Sequence, residues 1–238
     1  MTDYLTGKTL GIIHAAVFTA ASLEPFAREI LPGVEIMHAG DDTILRDNNR
    51  APVGTIPKVN FYKFATFARF FEEGGVDLIL LACSTFNQAI EYARPMINVP
   101  MLQIDKPMME KAVSISNHIT ILGTLPATMP SSERLLRQCA AEAGKSININ
   151  SVLNSHAFNL LRCGNVTAAN EALLDDIDRL SKDRDYYELY RQKAAHGKAF
   201  YSKENNVKMW NNLYELAFQA VIDANSGDKK AQLEKKLK

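Results

Sequence analysis

The chain has 238 residues, enough for one large α/β domain or two smaller ones with cores of their own. Its 27 Lys and Arg balance its 27 Asp and Glu, so no net field draws in nucleic acid or acidic lipid, and the expected partners are small molecules or other protein chains. Three cysteines, at 83, 139 and 163, form neither a disulfide framework nor a CxxC metal clip. With no signal-peptide pattern and no apolar run of membrane-spanning length, a soluble cytoplasmic chain is expected, with no nucleic-acid or membrane partner.

In chain order, residues 8–13 (Lys-Thr-Leu-Gly-Ile-Ile) read as a first strand that ends at His14, before a helical pattern over 22–31. His14 is therefore the first polar side chain past a strand end, a site position or a packed histidine at a turn. Residues 33–37 suit a second strand. The polar stretch 46–58, with Arg46, Arg50 and Lys58 among Gly and Pro, reads as a long connection, either a functional flap or a solvated loop. Phe61, Phe64, Ala65, Ala68 and Phe71 recur at helical spacing over 60–73 and are read as core.

Residues 78–82 form a short apolar run bounded by Gly74 and Gly75, as a parallel strand buried on both faces should be. Cys83, Ser84 and Thr85 follow where that strand is expected to meet a helix over 86–93. There a thiol is reachable and can be activated by free backbone N–H groups. The other reading of Cys83 is a small buried hydrophobe. A strand over 99–104 precedes a helix over 108–113, and the strand-helix alternation argues for a parallel sheet.

The order then restarts. A strand over 119–123 leads into the hydroxyl-rich turn 124–132, an anion cradle, an ordinary N-cap at Ser131 or Ser132, or both, and then a helix over 133–143. A strand over 146–152, a helix after His156 ending near Gly164 and an amphipathic helix over 167–180 complete this part. Residues 183–193 are charged and aromatic with no buried-strand run, a helical pattern spans 207–224, and a lysine-rich tail closes the chain.

Leu80-Leu81-Ala82-Cys83-Ser84-Thr85-Phe86-Asn87 resembles the first-lobe motif of the aspartate/glutamate racemase superfamily, which also holds hydantoin racemases, maleate isomerases and arylmalonate decarboxylase. The strand-turn Ile12-Ile13-His14 and the turn from Gly123 to Ser132 fall at the family's distances, so the resemblance covers about residues 8–182. It implies an α/β fold of two similar parallel-sheet lobes related by a pseudo-twofold axis, with the site between them. The lobes would span 1–105, joined by a returning helix 205–226, and 106–204, with 227–238 a solvated tail.

By the same resemblance, Cys83 is the first-lobe acid/base thiol, and Ser84, Thr85 and Asn87 cradle the substrate carboxylate. Thr124 and Thr128 approach from the second lobe, and His14 stands where glutamate racemases place an acidic residue assisting the thiol. No metal and no cofactor are implied, because backbone N–H groups and hydroxyls stabilise the developing carbanion.

One departure stands out: neither a cysteine nor the family's second-lobe central strand is found between about 183 and 203. Either another group, such as His196 or His14, serves the opposite face, or the reaction needs one thiol, or the activity is lost. The expected function is a cofactor-independent racemase or isomerase of a small amino acid or dicarboxylate. A one-thiol decarboxylase, a maleate-type cis–trans isomerase, or a non-catalytic ligand-binding or assembly protein are the alternatives. Tyr186, Tyr190 and Trp210 offer surface for a homodimer.

Overall fold

The computed structural model describes residues 5–182. The segments 183–193 and 207–224, His196 and the proposed dimer surface lie outside the described residues.

The first sheet contains β1 (Thr9–His14), β2 (Glu35–Gly40), β3 (Leu78–Leu81) and β4 (Met101–Gln103), all parallel in the order β2-β1-β3-β4. The chain leaves β1 to one side for β2 and returns to the other side for β3. The β1/β3 junction is thus the point where strand order reverses, and its carboxyl edge is where open α/β sheets bind ligands.

All four β3 residues are buried because helices cover both sheet faces. Ile13, Ile79 and Leu81 pack with Phe64, Ala68 and Phe71 of α3 (Lys58–Glu73), whereas Leu10, Ile12, Leu78 and Leu80 pack with Ile30 of α1 (Phe18–Ile30). Successive strand residues therefore serve opposite cores. Gly11 has no room for a side chain: a Cβ there would lie 2.5 Å from the Phe71 ring.

The second sheet pairs β5 (His118–Gly123) with β6 (Asn148–Leu153) in parallel. Around it lie α5 (Lys106–Ile115), α6 (Thr128–Glu142), α7 (Ser155–Arg162) and α8 (Val166–Lys182). Met109, Val113, Leu135, Leu136 and Cys139 form its core with Ile119. The α/β class with two parallel sheets is as expected from the alternation of elements.

Three local expectations fail for identifiable reasons. The first five residues of the supposed loop 46–58 belong to helix α2 (Asp42–Arg50), because Asp41 caps it, its carboxylate accepting from Thr43 N at 2.8 Å. The inward face of α2 is Ile44 and Asn48; Asn48 Oδ1 accepts from Asn60 Nδ2 at 2.8 Å, so a polar side chain occupies a position where an apolar one would have signalled a helix. Arg46 is paired with Asp47 at 2.8 Å. The helix after Cys83 is α4 (Ala89–Ala93), only five residues long, and 82–88 is a run of turns. Finally, α6 starts at Thr128, five residues early, so Ser131 and Ser132 are buried within its first turns rather than capping it.

Candidate active site

Cys83 lies two residues past β3, on the face of Ile79 and Leu81. Phe86 pins the turn that follows. Its ring is fully buried and meets Phe64 edge to face at 6.0 Å between centroids. The turn thereby directs the N–H groups of Phe86 and Thr85, together with the Thr85 hydroxyl, at the sulfur.

These donors do not win. Burial pushes the Cys83 thiol up to about 11, and the charge of Asp105 adds to the rise. The expected lowering at a helix N-terminus is not found, because α4 begins six residues beyond Cys83 and is too short to bring an aligned dipole to it. Cys83 is therefore a thiol at neutral pH in the unliganded protein.

The next residues bridge the two sheets. Thr85 Oγ1 and Thr128 Oγ1, at the start of α6, share a hydrogen bond of 2.8 Å, and Ser131 Oγ donates to Thr85 O at 2.5 Å. Asn87, with no exposed surface, is a hub: Nδ2 donates to Asp105 Oδ2 (3.2 Å) and Ser131 O (3.3 Å), while Oδ1 accepts from exposed Arg134 (2.9 Å). Its carbonyl accepts from Gln103 Nε2 at 2.7 Å. The fold thus gathers Cys83, Ser84, Thr85, Asn87 and Thr128 in one place. Thr124 stands at the end of β5, four residues before Thr128, half-buried.

Sequence reasoning missed Asp105, Gln103 and Arg134. Asp105 could have been found by the rule that singled out His14 and Cys83, since it is also the first charged residue past a strand end. Burial pushes its carboxyl above the usual carboxylate range, opposed by Asn87, its own N–H, Ser84 and the Arg134 charge. Arg134 gives no such signal, because only the packing of α6 turns it toward Asn87.

His14 is buried but is not brought to Cys83. Its Nδ1 bonds Thr19 Oγ1 at 2.7 Å and its Nε2 bonds His38 Nδ1 at 2.8 Å; His38 Nε2 reaches Glu24 at 2.7 Å. Thr19 already donates its hydroxyl proton to Ala16 O, so it accepts from His14 Nδ1–H. His14 Nε2 then accepts from His38 Nδ1–H, whose other ring nitrogen faces Glu24. Burial and the His38 charge lower His14 to about 4. The residue belongs to the α1 face of the sheet, with Ile12, whereas Cys83 belongs to the α3 face. His156 is exposed on α7. Cys139 is buried within α6, its thiol also pushed up to about 11 by burial, and Cys163 is exposed at the end of α7.

Among the described residues no group of three His, Cys, Asp or Glu side chains is arranged to hold a metal ion, and no helix is long and apolar enough to cross a membrane.

Residues 58–186, which contain this whole constellation apart from His14, match the model of the Asp/Glu/hydantoin racemase family. The chain belongs to that family. A glutamate racemase from Aquifex pyrophilus is 32% identical over 108 residues, 43% of this chain and 42% of the relative. The chain thus spans about two fifths of the length of that curated relative. Two solved structures share the fold. An allantoin racemase from Klebsiella pneumoniae aligns with a TM-score of 0.55 and 20% identity over 74% of this chain and 70% of that one. An aspartate racemase from Picrophilus torridus aligns with a TM-score of 0.51 and 17% identity over 72% of this chain and 75% of that one.

Proposed function

We propose that the chain is a cofactor-independent racemase or isomerase of a small amino acid or dicarboxylate of aspartate or glutamate type, with Cys83 moving a proton at the carbon beside the carboxylate. The observation that carries this reading is the junction at the β1/β3 switch point, where the donor-rich turn after Cys83 meets, through Thr85, Thr128 at the start of α6. Of the two threonine hydroxyls in that bond, one donates to the other, and the acceptor keeps its own proton to give a ligand oxygen. With Ser84 and Thr124 they form a neutral cradle for a carboxylate as it gains charge from the carbanion, while Asn87, expected in that cradle, is buried with its amide engaged and holds the turn in place instead.

Abstraction and return of the proton on opposite faces needs a second group. Cys139 is sealed in the second core and Cys163 lies exposed past α7, so neither supplies it. This observation favours, as a second reading, a one-thiol reaction such as decarboxylation or maleate-type isomerisation. His14, tied to Thr19 and His38, is left without a role at the thiol.

The test is incubation of the full chain in deuterium oxide with each enantiomer of aspartate and glutamate, followed by NMR and optical rotation. Deuterium at the α-carbon with loss of rotation, abolished by Cys83→Ser, is the expected result. Carbon dioxide release from a malonate or conversion of maleate to fumarate moves the assignment to the second reading. If all substrates are untouched and Cys83→Ser changes no measurable property, the chain is a ligand-binding or assembly protein and the proposal is wrong.

A further inference from the structure

The register of the first sheet places an acid beside the thiol. Leu81 pairs with Gln103, and Ile104 N donates to Leu81 O at 3.1 Å, so the two strands are still in step as they end. Past that pair both segments leave the strand, and Asp105 stays near the thiol: its charge acts on Cys83, and it takes hydrogen bonds from Asn87 and from Ser84, the residue next to Cys83.

Asp105 is 6% exposed, and its Oδ1 has no hydrogen-bond partner. A buried carboxylate with one bare oxygen is costly to keep and is not explained by the capping of α5, whose first turn receives no side-chain bond from it. What it does have is a neighbour that ionises.

We propose that Asp105 is a positioning residue whose buried carboxylate holds one negative charge in common with the Cys83 sulfur, so that Cys83 rests as a thiol and enters the reaction as a proton donor. The inference rests on the assignment of Cys83 as the proton-transfer group. In the donating step the Cys83 S–H bond breaks and a C–H bond forms with the electron pair of the ligand's carbanion, leaving a thiolate. That thiolate is a strong base, because Asp105 disfavours it, and in the reverse step it takes the proton back from the ligand's C–H bond, whose electron pair stays on carbon. Burial is the main cause that raises each acid, and the Asp105 charge adds to the rise at Cys83.

The groups facing the pair are few. Arg134 of α6 is the cation acting on Asp105, while Asn87 and Ser84 donate from the turn after β3. Lys106 of α5 is turned toward Glu110 and Glu142 at 3.8 and 3.1 Å. Cys139 of α6 also feels the Asp105 charge.

The experiment is the pH dependence of iodoacetamide alkylation of the full chain, with each cysteine quantified by peptide mass spectrometry and Cys163 as the exposed reference. In the wild type, the Cys83 midpoint should lie well above that of Cys163. In Asp105→Asn it should fall by about half a unit to one unit, making Cys83 about threefold to tenfold faster at neutral pH, with Cys163 unchanged. Asp105→Ser should give the same shift and serves where the asparagine variant does not fold. A wild-type Cys83 midpoint at or below that of Cys163 overturns the proposal without any variant, as does a folded variant whose midpoint stays put or rises. Alkylation needs no turnover, so a chain that racemises nothing can still show the shift, and an active one can lack it.

Discussion

Removing the Asn87 amide should unfasten the contact between the two sheets. Asn87→Ala deletes three side-chain hydrogen bonds and leaves Asp105 Oδ2 without its donor, next to an Oδ1 that already lacks one. Taking the Asn87 donor from that buried carboxyl, which keeps Ser84 and its own N–H, costs about 1–3 kcal/mol, and the Ser131 carbonyl, which keeps its place in the helix, roughly 0.5. Arg134 is exposed and turns to water, adding little. The void left by three heavy atoms in a fully buried site adds about 1 kcal/mol, for a total of about 3 kcal/mol. That is a large fraction of a typical net stability of about 5–15 kcal/mol. In urea unfolding followed by circular dichroism, the midpoint should fall by about 1–1.5 M with an unchanged slope of about 2–3 kcal/mol/M. Asn87→Asp sets a second carboxylate against Asp105, so its loss should be larger at pH 7 than at pH 4.5. A midpoint drop below about 0.3 M in the alanine variant would refute the hub role. A pH-independent loss in the aspartate variant would refute the proximity of the two acids.

Other outcomes follow from the same coordinates. His14 is lowered to about 4 in the folded state from 6.5, so its contribution to stability is present above pH 6.5 and is lost as pH falls toward 4. The loss is at most about 3 kcal/mol, and His14→Gln should flatten that limb of a melting-temperature profile. Asp105 titrates in the opposite sense: its raised carboxyl destabilises the fold once ionised, so Asp105→Asn should help stability at pH 7, with an advantage that shrinks on acidification, as read by the same melts. Phe64→Ala empties the position between α3 and the Phe86 ring and should cost about 3–5 kcal/mol. It should also raise hydrogen exchange through residues 82–88, which a cavity confined to α3 would not do. Thr85→Val and Thr128→Val should couple by about 0.5–1.5 kcal/mol in a double-mutant cycle, and additive effects would show that the 2.8 Å contact holds nothing together.

Much of this was legible before any coordinates. Apolar runs such as residues 78–82, and Phe64, Ala68 and Phe71 at helical spacing, locate strands and helices, because a strand buried on both faces and a helix with one buried face have only those patterns available. The Cys83 motif pointed to the family that the match over residues 58–186 shows. Where the pattern was polar the reading failed: α2 buries Asn48 instead of a hydrocarbon, and α6 starts on Thr128 without a capping side chain, so neither announced itself. The sequence by itself determined the alternation of strand and helix and singled out Cys83 as the candidate for the chemistry. Only the tertiary structure decided the electrostatics. Whether a thiol is activated or suppressed depends on what desolvates it and which charge acts on it, and Asp105, whose charge acts on Cys83, is twenty-two positions away, brought near by the pairing of β3 with β4. Likewise the alternation of side chains along β1 turned His14 toward Glu24 and His38 and away from the sulfur.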